Sequence, residues 1–374
     1  MEASFTPEAS DAAARTGTVT TARGTFATPC FMPVGTRGAV KHLDSSDLER
    51  LGVEVVLANT YHLMLRPGSE TVARLGGIHG FADWSGHVLT DSGGYQIYSL
   101  NPDVDDDGAS FTSVYDGAKC RLTPEDAVTQ QALISADITM VLDVCPSSVA
   151  DRAVLQQAVR RTAEWARRAR DAFESHPDAA ARQCQFGIVQ GGADPVLRRE
   201  SAQRTVEVGF DGYAVGGLSV GEARPQMLAA LEGCVPELPD DRPRYFMGLG
   251  DPVGIIESVA RGVDMFDCVL PTRLGRHGTV LSDAGRYNLA AARHARSDEP
   301  LDPAFGDSPA ARWSRGYLRH LLATGEPTAA RLVTLHNLGW LLRFMRRIRD
   351  AVRAGTLDEL RAEVAEVWAS KPTG

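Results

Sequence analysis

A chain of 374 residues, 43% hydrophobic and 23% charged, carries enough apolar side chain for a sizeable core, as one large domain or two ordinary ones. Its formal net charge of −9, from 39 Lys and Arg against 48 Asp and Glu, argues against a nucleic-acid partner held by bulk electrostatics but leaves room for a local basic patch. No run of about eighteen apolar residues occurs, and "MEASFTPEASDAAART" has no basic segment leading into an apolar one, so neither a membrane span nor secretion is expected and the cytoplasm is the expected compartment.

In chain order, short apolar runs bounded by Gly, Pro or Asp read as strands: "TPCFMPVG", "VEVVLANT", "HVLTDSGG", "ADITMVLDVC", "QFGIVQGG", "GYAVGGL", "RYFMGLG" and "DMFDCVLP". Segments of helical period lie between most of them. "TPEDAVTQQALISA" opens with Thr123 as N-cap and Pro124 at the first helical position, and "VLQQAVRRTAEWARRARDAF" is a long amphipathic helix with a basic face. Eight alternating units in roughly 270 residues fit a (β/α)8 TIM barrel better than an open doubly wound sheet. The open sheet also lacks support, because no strand is followed by G-x-G-x-x-G and a helix. After Leu270 the chain turns polar and turn-rich, which reads as an appended post-barrel subdomain over 281–340 on a single barrel domain spanning 1–374. Two closing helices follow, "AARLVTLHNLGWLLRFMRRIRDAV" and "LDELRAEVAEVWAS". Six cysteines are scattered without CxxC spacing, which suits reduced thiols better than a disulfide frame or a structural zinc site.

Barrel active sites are built at the C-terminal ends of the strands. Those ends carry Asn59, Asp91, Asp143, Gln190, Gly216 with Gly217, Met247 and Asp267. An Asp after an apolar strand commonly caps a helix, and glycines there commonly serve tight turns. Three such Asp residues, a Gln and two Gly-rich turns on one face point instead to a site. Glycosidic bond chemistry uses such carboxylates: one attacks the anomeric carbon, a second moves a proton, and a third, acceptor-only when ionised, reads the N–H groups of a guanine-like base. Tyr95, in "TDSGGYQ", is a candidate to stack on that base, although a lone aromatic more often packs. "GVDMFDCVLPTR" holds a second acid, Asp264, three residues before Asp267, read as structural.

The blocks "LTDSGGYQIYSL", "DGAKCRLTPEDAV", "GIVQGG", "GYAVGGLSVGE", "MGLGDP", "GVDMFDCVLPTR" and "ARLVTLHNL" resemble, in order, the signature segments of the tRNA-guanine transglycosylases, also called queuine tRNA-ribosyltransferases. The resemblance implies a (β/α)8 barrel that exchanges guanine in tRNA for a 7-deazaguanine through a covalent ribosyl–aspartate intermediate. It implies Asp267 as nucleophile and Asp91 as general acid/base. Asp143, Gln190 and the backbone of Gly217 and Leu218 would hold the base edge, with Tyr95 and Met247 sandwiching the ring. Glu222 would adjust the Leu218 peptide to the base's 7-substituent, Asn59 would contact the ribose, and Arg273 and Arg276 would hold tRNA phosphates. A homodimer is implied as well.

This sequence departs from the family pattern in three places. The family's C-x-C-x-x-C zinc ligands fall at Phe305, Asp307 and Ala310, so only His336 remains and neither zinc nor any other cofactor is expected. Val144 follows Asp143 where the family has Glu. The loop "NPDVDDDGAS" is acidic where relatives carry basic residues, which is expected to weaken RNA binding. Three functions follow from these readings. The first is base exchange in tRNA; the second is the same exchange on a small nucleoside or nucleotide; the third is a non-catalytic RNA-binding or partner subunit, which retention of both Asp91 and Asp267 disfavours.

Overall fold

The computed structural model describes residues 4–369. It begins with an antiparallel sheet, β1 (Ser4–Asp11), β2 (Ala14–Thr21) and β3 (Gly24–Thr28). Three strands of the barrel come next, β4 (Cys30–Pro33), β5 (Val55–Asn59) and β6 (His87–Asp91). A second small antiparallel sheet interrupts the barrel: β7 (Asp103–Val104), β8 (Ala109–Thr112) and β9 (Lys119–Leu122). Five more barrel strands complete it, β10 (Ile138–Met140), β11 (Cys184–Val189), β12 (Gly212–Val215), β13 (Arg244–Phe246) and β14 (Met265–Cys268).

The eight strands pair in parallel in the order β4-β14-β13-β12-β11-β10-β6-β5. A parallel bridge between Val34 and Leu57, with Gly35 N donating to Leu57 O at 2.6 Å, joins β4 to β5. The cylinder is therefore nearly closed, and it is the (β/α)8 barrel expected from the eight apolar runs. Both faces of these strands are covered, which explains why they read as continuous apolar runs. Helices alternate with the strands and start where the sequence places caps. Thr123 forms a capping box with Asp126 ahead of Pro124–Ile134, and Asp194 and Asp251 cap the helices that begin at Pro195 and Pro252.

Beyond the barrel, β15 (Thr279–Ser282) and β16 (Gly285–Asn288) form a hairpin, and the closing helices span Pro327–Ala354 and Leu357–Ala369; Ser370, in the second expected helix, lies outside the described residues. Asn337 pins the longer helix to the hairpin: its Oδ1 accepts from Leu281 N at 2.9 Å, and its Nδ2 donates to Thr279 O and Pro271 O at 3.0 and 3.1 Å.

The acidic loop behaves differently from its composition. Asp105 pairs with Arg121 and Asp106 with Arg161, both at 2.8 Å, while Arg168 donates to the carbonyls of Asp106 and Asp107. Two of the loop's acids are thus paired, one by Arg121 of β9 and one by Arg161 of helix Arg152–Ser175, and Arg168 of the same helix fastens the loop's backbone. Among the described residues, no helix is long and apolar enough to cross a membrane.

Candidate active site

Asp267 is the penultimate residue of β14, and its carboxylate is held through one oxygen only. Tyr245 donates its hydroxyl to Oδ1 at 2.5 Å and the Gly248 amide donates to the same oxygen at 2.7 Å, while Oδ2 takes no hydrogen bond. Burial pushes the acid's pKa up, and these two bonds oppose the rise.

Asp91 ends β6, in register with Asn59 at the end of β5. Its Oδ1 accepts from Thr60 N at 3.0 Å, and its Oδ2 accepts from Asn59 Nδ2 and, at 3.0 Å, from Gln96 Nε2. Burial lifts its pKa to about 6; the three bonds pull it down, and the charge of Asp267 adds to the rise. A carboxyl so tuned is partly protonated near neutrality, as proton transfer in both directions requires.

Asp143 follows β10. Gln190, after β11, donates to its Oδ2 at 2.6 Å, and desolvation raises its pKa to about 6. Two glycines allow this packing. A Cβ at Gly94 would stand 2.4 Å from Asp143 Oδ1, and one at Gly217, where φ is +66°, would stand 2.3 Å from Gln190 Oε1. The Gly-rich turns in "TDSGGYQ" and "AVGGL" are thus close-approach positions against the carboxylate and amide.

These groups converge on one cavity of about 380 Å³ at the C-terminal mouth of the barrel. Asn59, Asp91, Asp143, Gly217, Leu218, Met247 and Asp267 line it, and so does Tyr95, which is 57% exposed at the rim. Gln190 stands behind Asp143 rather than on the cavity wall. Glu222 lies behind the loop, accepting from Ser219 N and, at 3.2 Å, from Val220 N, and so holds Ser219 at φ +61°. Arg273 and Arg276 lie outside the cavity on helix Leu270–Arg276, which leaves β14. A larger hollow of about 520 Å³ at the opposite end of the barrel is lined largely by β1–β2 residues and lies far from these carboxylates.

Sequence reasoning did not single out Tyr245, Gln96 or His62, all of which line the cavity. Tyr245 had a signal, since it sits two residues before Met247 in a strand, where side chains alternate. Asp264 lies at the other end of β14, buried and bound through both oxygens to Arg15 at 2.9 and 2.6 Å.

The residues at the zinc positions do not fit a metal. Phe305 and Ala310 are buried and apolar, and Asp307 is exposed. His336 is fully enclosed, with Nδ1 2.7 Å from Ser308 Oγ and Nε2 2.8 Å from Leu281 O. The carbonyl accepts, so Nε2 carries the proton and Nδ1 accepts from the serine hydroxyl, which leaves neither nitrogen free. Among the described residues, no group of three or more His, Cys, Asp or Glu could hold a metal ion.

Comparison with known proteins follows from this geometry. The family model described as queuine tRNA-ribosyltransferase matches residues 10–370. A protein named queuine tRNA-ribosyltransferase from Solidesulfovibrio magneticus is 47% identical over 366 residues, 97% of this chain and 97% of its own. One of the same name from Herpetosiphon aurantiacus is 47% identical over 350 residues, 93% of this chain and 88% of its own. Another from Thermotoga maritima is 46% identical over 358 residues, 96% of each chain.

Proposed function

This chain belongs to the queuine tRNA-ribosyltransferase family of pentosyltransferases, and we propose that it replaces guanine in tRNA by a 7-deazaguanine-type base through a ribosyl–aspartate intermediate. The observation that carries the reading is the asymmetry at Asp267, which lines the cavity shared with Asp91 and Asp143: two donors hold Oδ1 while Oδ2 takes no hydrogen bond. Oδ2 attacks C1′ of the target nucleotide. The C1′–N9 bond breaks, its electron pair leaves with guanine, and Asp91 supplies the proton that neutralises the departing base. The incoming base returns a proton to Asp91, bonds to C1′ and frees the Asp267 carboxylate. One N-glycosidic bond is exchanged for another, so the chemistry calls for no cofactor.

Ionised Asp143, steadied by Gln190, accepts from the N–H groups of the base, and the Gly217 and Leu218 backbone completes the edge. Tyr95 and Met247 flank the ring, Asn59 meets the ribose, and Glu222 sets the peptide that faces the 7-substituent. Arg273 and Arg276 hold backbone phosphates, and residues 281–340 form a subdomain tied together by the Ser308–His336–Leu281 chain in place of zinc. Exchange of labelled guanine into tRNA tests the whole reading, and a purified enzyme that leaves tRNA unlabelled would overturn it.

A further inference from the structure

The arginines of this chain are mostly spent. Most of those on helix Arg152–Ser175, and those around Asp264 and around Glu257, are engaged with carboxylates or carbonyls. One sector of the barrel mouth is different. Above the neighbouring strands β14, β4 and β5 stand Arg37, Lys41, Arg66, Arg273 and Arg276, none of which forms an ion pair among the described residues. In a chain of net charge −9 this is a localised positive field beside the catalytic cavity.

Two of these cations are organised around one ring. Arg37 follows β4, Arg66 follows the helix that leaves β5, and Tyr115 comes from the β8–β9 turn. The Arg37 and Arg66 guanidinium carbons lie 5.4 and 5.0 Å from the Tyr115 ring centroid, within cation–π range. The Tyr115 hydroxyl is fixed in turn by His62 Nδ1 at 2.8 Å, and His62 lines the catalytic cavity. Asp116, the acid next to Tyr115, forms a hydrogen-bonded ion pair with neither arginine; its carboxylate caps its own turn through Ala118 N at 3.2 Å and feels Arg66 only through its field, the weakest of the influences that lower its pKa. A stacked guanidinium keeps its N–H edge free, and a fixed ring reduces the rotamer freedom that binding would otherwise remove.

We propose that Arg37 and Arg66, held against Tyr115, form a second phosphodiester-binding station that grips the RNA backbone beside the nucleotide entering the cavity, separate from the Arg273–Arg276 helix. The inference rests on RNA being the acceptor, as proposed above. Two guanidiniums on one aromatic support, neither closed into an ion pair, and a hydrogen-bonded link to the cavity wall are what a backbone phosphate at a fixed distance from the reacting sugar requires.

The test is direct binding of a fluorescent tRNA anticodon stem-loop to the full chain, measured across a salt series alongside guanine exchange by the wild type. Arg37→Ala and Arg66→Ala should each weaken binding on the order of tenfold and shallow the log–log salt slope by about 0.7–0.9 for each phosphate no longer held. Tyr115→Leu should weaken binding too, while Tyr115→Phe, which keeps the ring, should retain most of it. Because both arginines are exposed, melting curves should match the wild type. Unchanged affinity and slope in both alanine variants, with a wild type that exchanges guanine into tRNA, would overturn the station and leave the proposed function standing. A wild type that binds the stem-loop through these arginines but exchanges nothing would support the station and overturn the proposed chemistry.

Discussion

Asp264, just before β14, and Asp267, within it, lie three residues apart and face opposite ends of the barrel. Asp264 is bound through both oxygens to Arg15, a residue of the N-terminal sheet, and also accepts from Arg244 N at 2.7 Å. Asp267 takes Tyr245 and Gly248 on a single oxygen at the mouth. One sequence motif thus supplies both a fastening at the N-terminal end of the strand and a carboxylate at the mouth.

Substitution should separate the two. Asp267→Asn should fold normally and form no covalent adduct when mixed with tRNA and a 7-deazaguanine, as read by intact mass or a denaturing gel. Asp264→Asn removes one charge of a buried pair and should cost about 3–5 kcal/mol of stability in denaturant melts, while its folded fraction still forms the adduct. An adduct that persists in Asp267→Asn and disappears in Asp264→Asn would reverse the assignment.

Tyr245→Phe takes one of two donors from the Asp267 carboxylate. That bond lowers the acid's pKa, so losing it raises the pKa. The acid limb of the kcat profile should move to higher pH while the affinity for tRNA holds. A limb that stays in place would mean that the hydroxyl packs without tuning the nucleophile.

The eight barrel strands were legible because burial on both faces makes them near-continuous apolar runs. The convergence of Asp91, Asp143 and Asp267 on one cavity was legible because all three stand at the C-terminal ends of barrel strands. The β1–β3 sheet was not, since "ARTGTVTT" is Thr-rich and polar and is fastened in part by the ion pair of Arg15 with Asp264, residues far apart in sequence. The β7–β9 sheet was hidden for a similar reason. Its acids read as a repulsive loop, and only the fold brings Arg161 and Arg168 to meet them. Tyr245 was missed because a tyrosine in a buried strand looks like core until its hydroxyl partner is known.

Asp143 ties function to stability with opposite signs. In the proposed role its ionised form accepts from a guanine-like edge, so base affinity should fall as pH drops through about 6. Asp143→Asn should cost about 2–4 kcal/mol in binding, because an amide N–H then faces a base N–H. The folded pKa lies above the unfolded value near 4, so the folded state binds the extra proton. Stability from this group is full below pH 4 and is lost as pH rises through about 6. Asp143→Asn, with no charge to bury, should therefore be more stable than the wild type at pH 8, by up to about 3 kcal/mol. Equal affinity for adenine and guanine in the wild type would remove Asp143 from base reading.

The Ser308–His336–Leu281 chain makes a prediction about metal. Purified protein should hold well under one zinc per chain, and a chelator should leave its melting temperature unchanged. Ser308→Ala leaves His336 Nδ1 buried without a donor and should cost about 1–3 kcal/mol. Stoichiometric zinc that survives dialysis would mean ligands other than those at 305, 307, 310 and 336.

Electrostatics separates tRNA from a small nucleoside as the acceptor. The net charge of −9 favours the smaller substrate, whereas the unpaired cations above β14, β4 and β5 favour a polyanion arriving at the mouth. The local field decides, because at physiological salt charges farther than about 8 Å are largely screened and an incoming backbone meets the near cations first. Arg273 and Arg276 lie on the helix that leaves the strand of Asp267, so a nucleotide whose sugar reaches that carboxylate would bring its neighbouring phosphates past them. For tRNA, Arg276→Ala should raise KM strongly and shallow the salt slope by roughly one phosphate's share, about 0.7–0.9 of a log unit per tenfold change in salt. A nucleoside carries no phosphate, and its turnover should ignore both salt and this substitution. Turnover of free guanosine with a flat salt response would therefore move the substrate from tRNA to the nucleoside while keeping Asp267, Asp91 and Asp143 in their places.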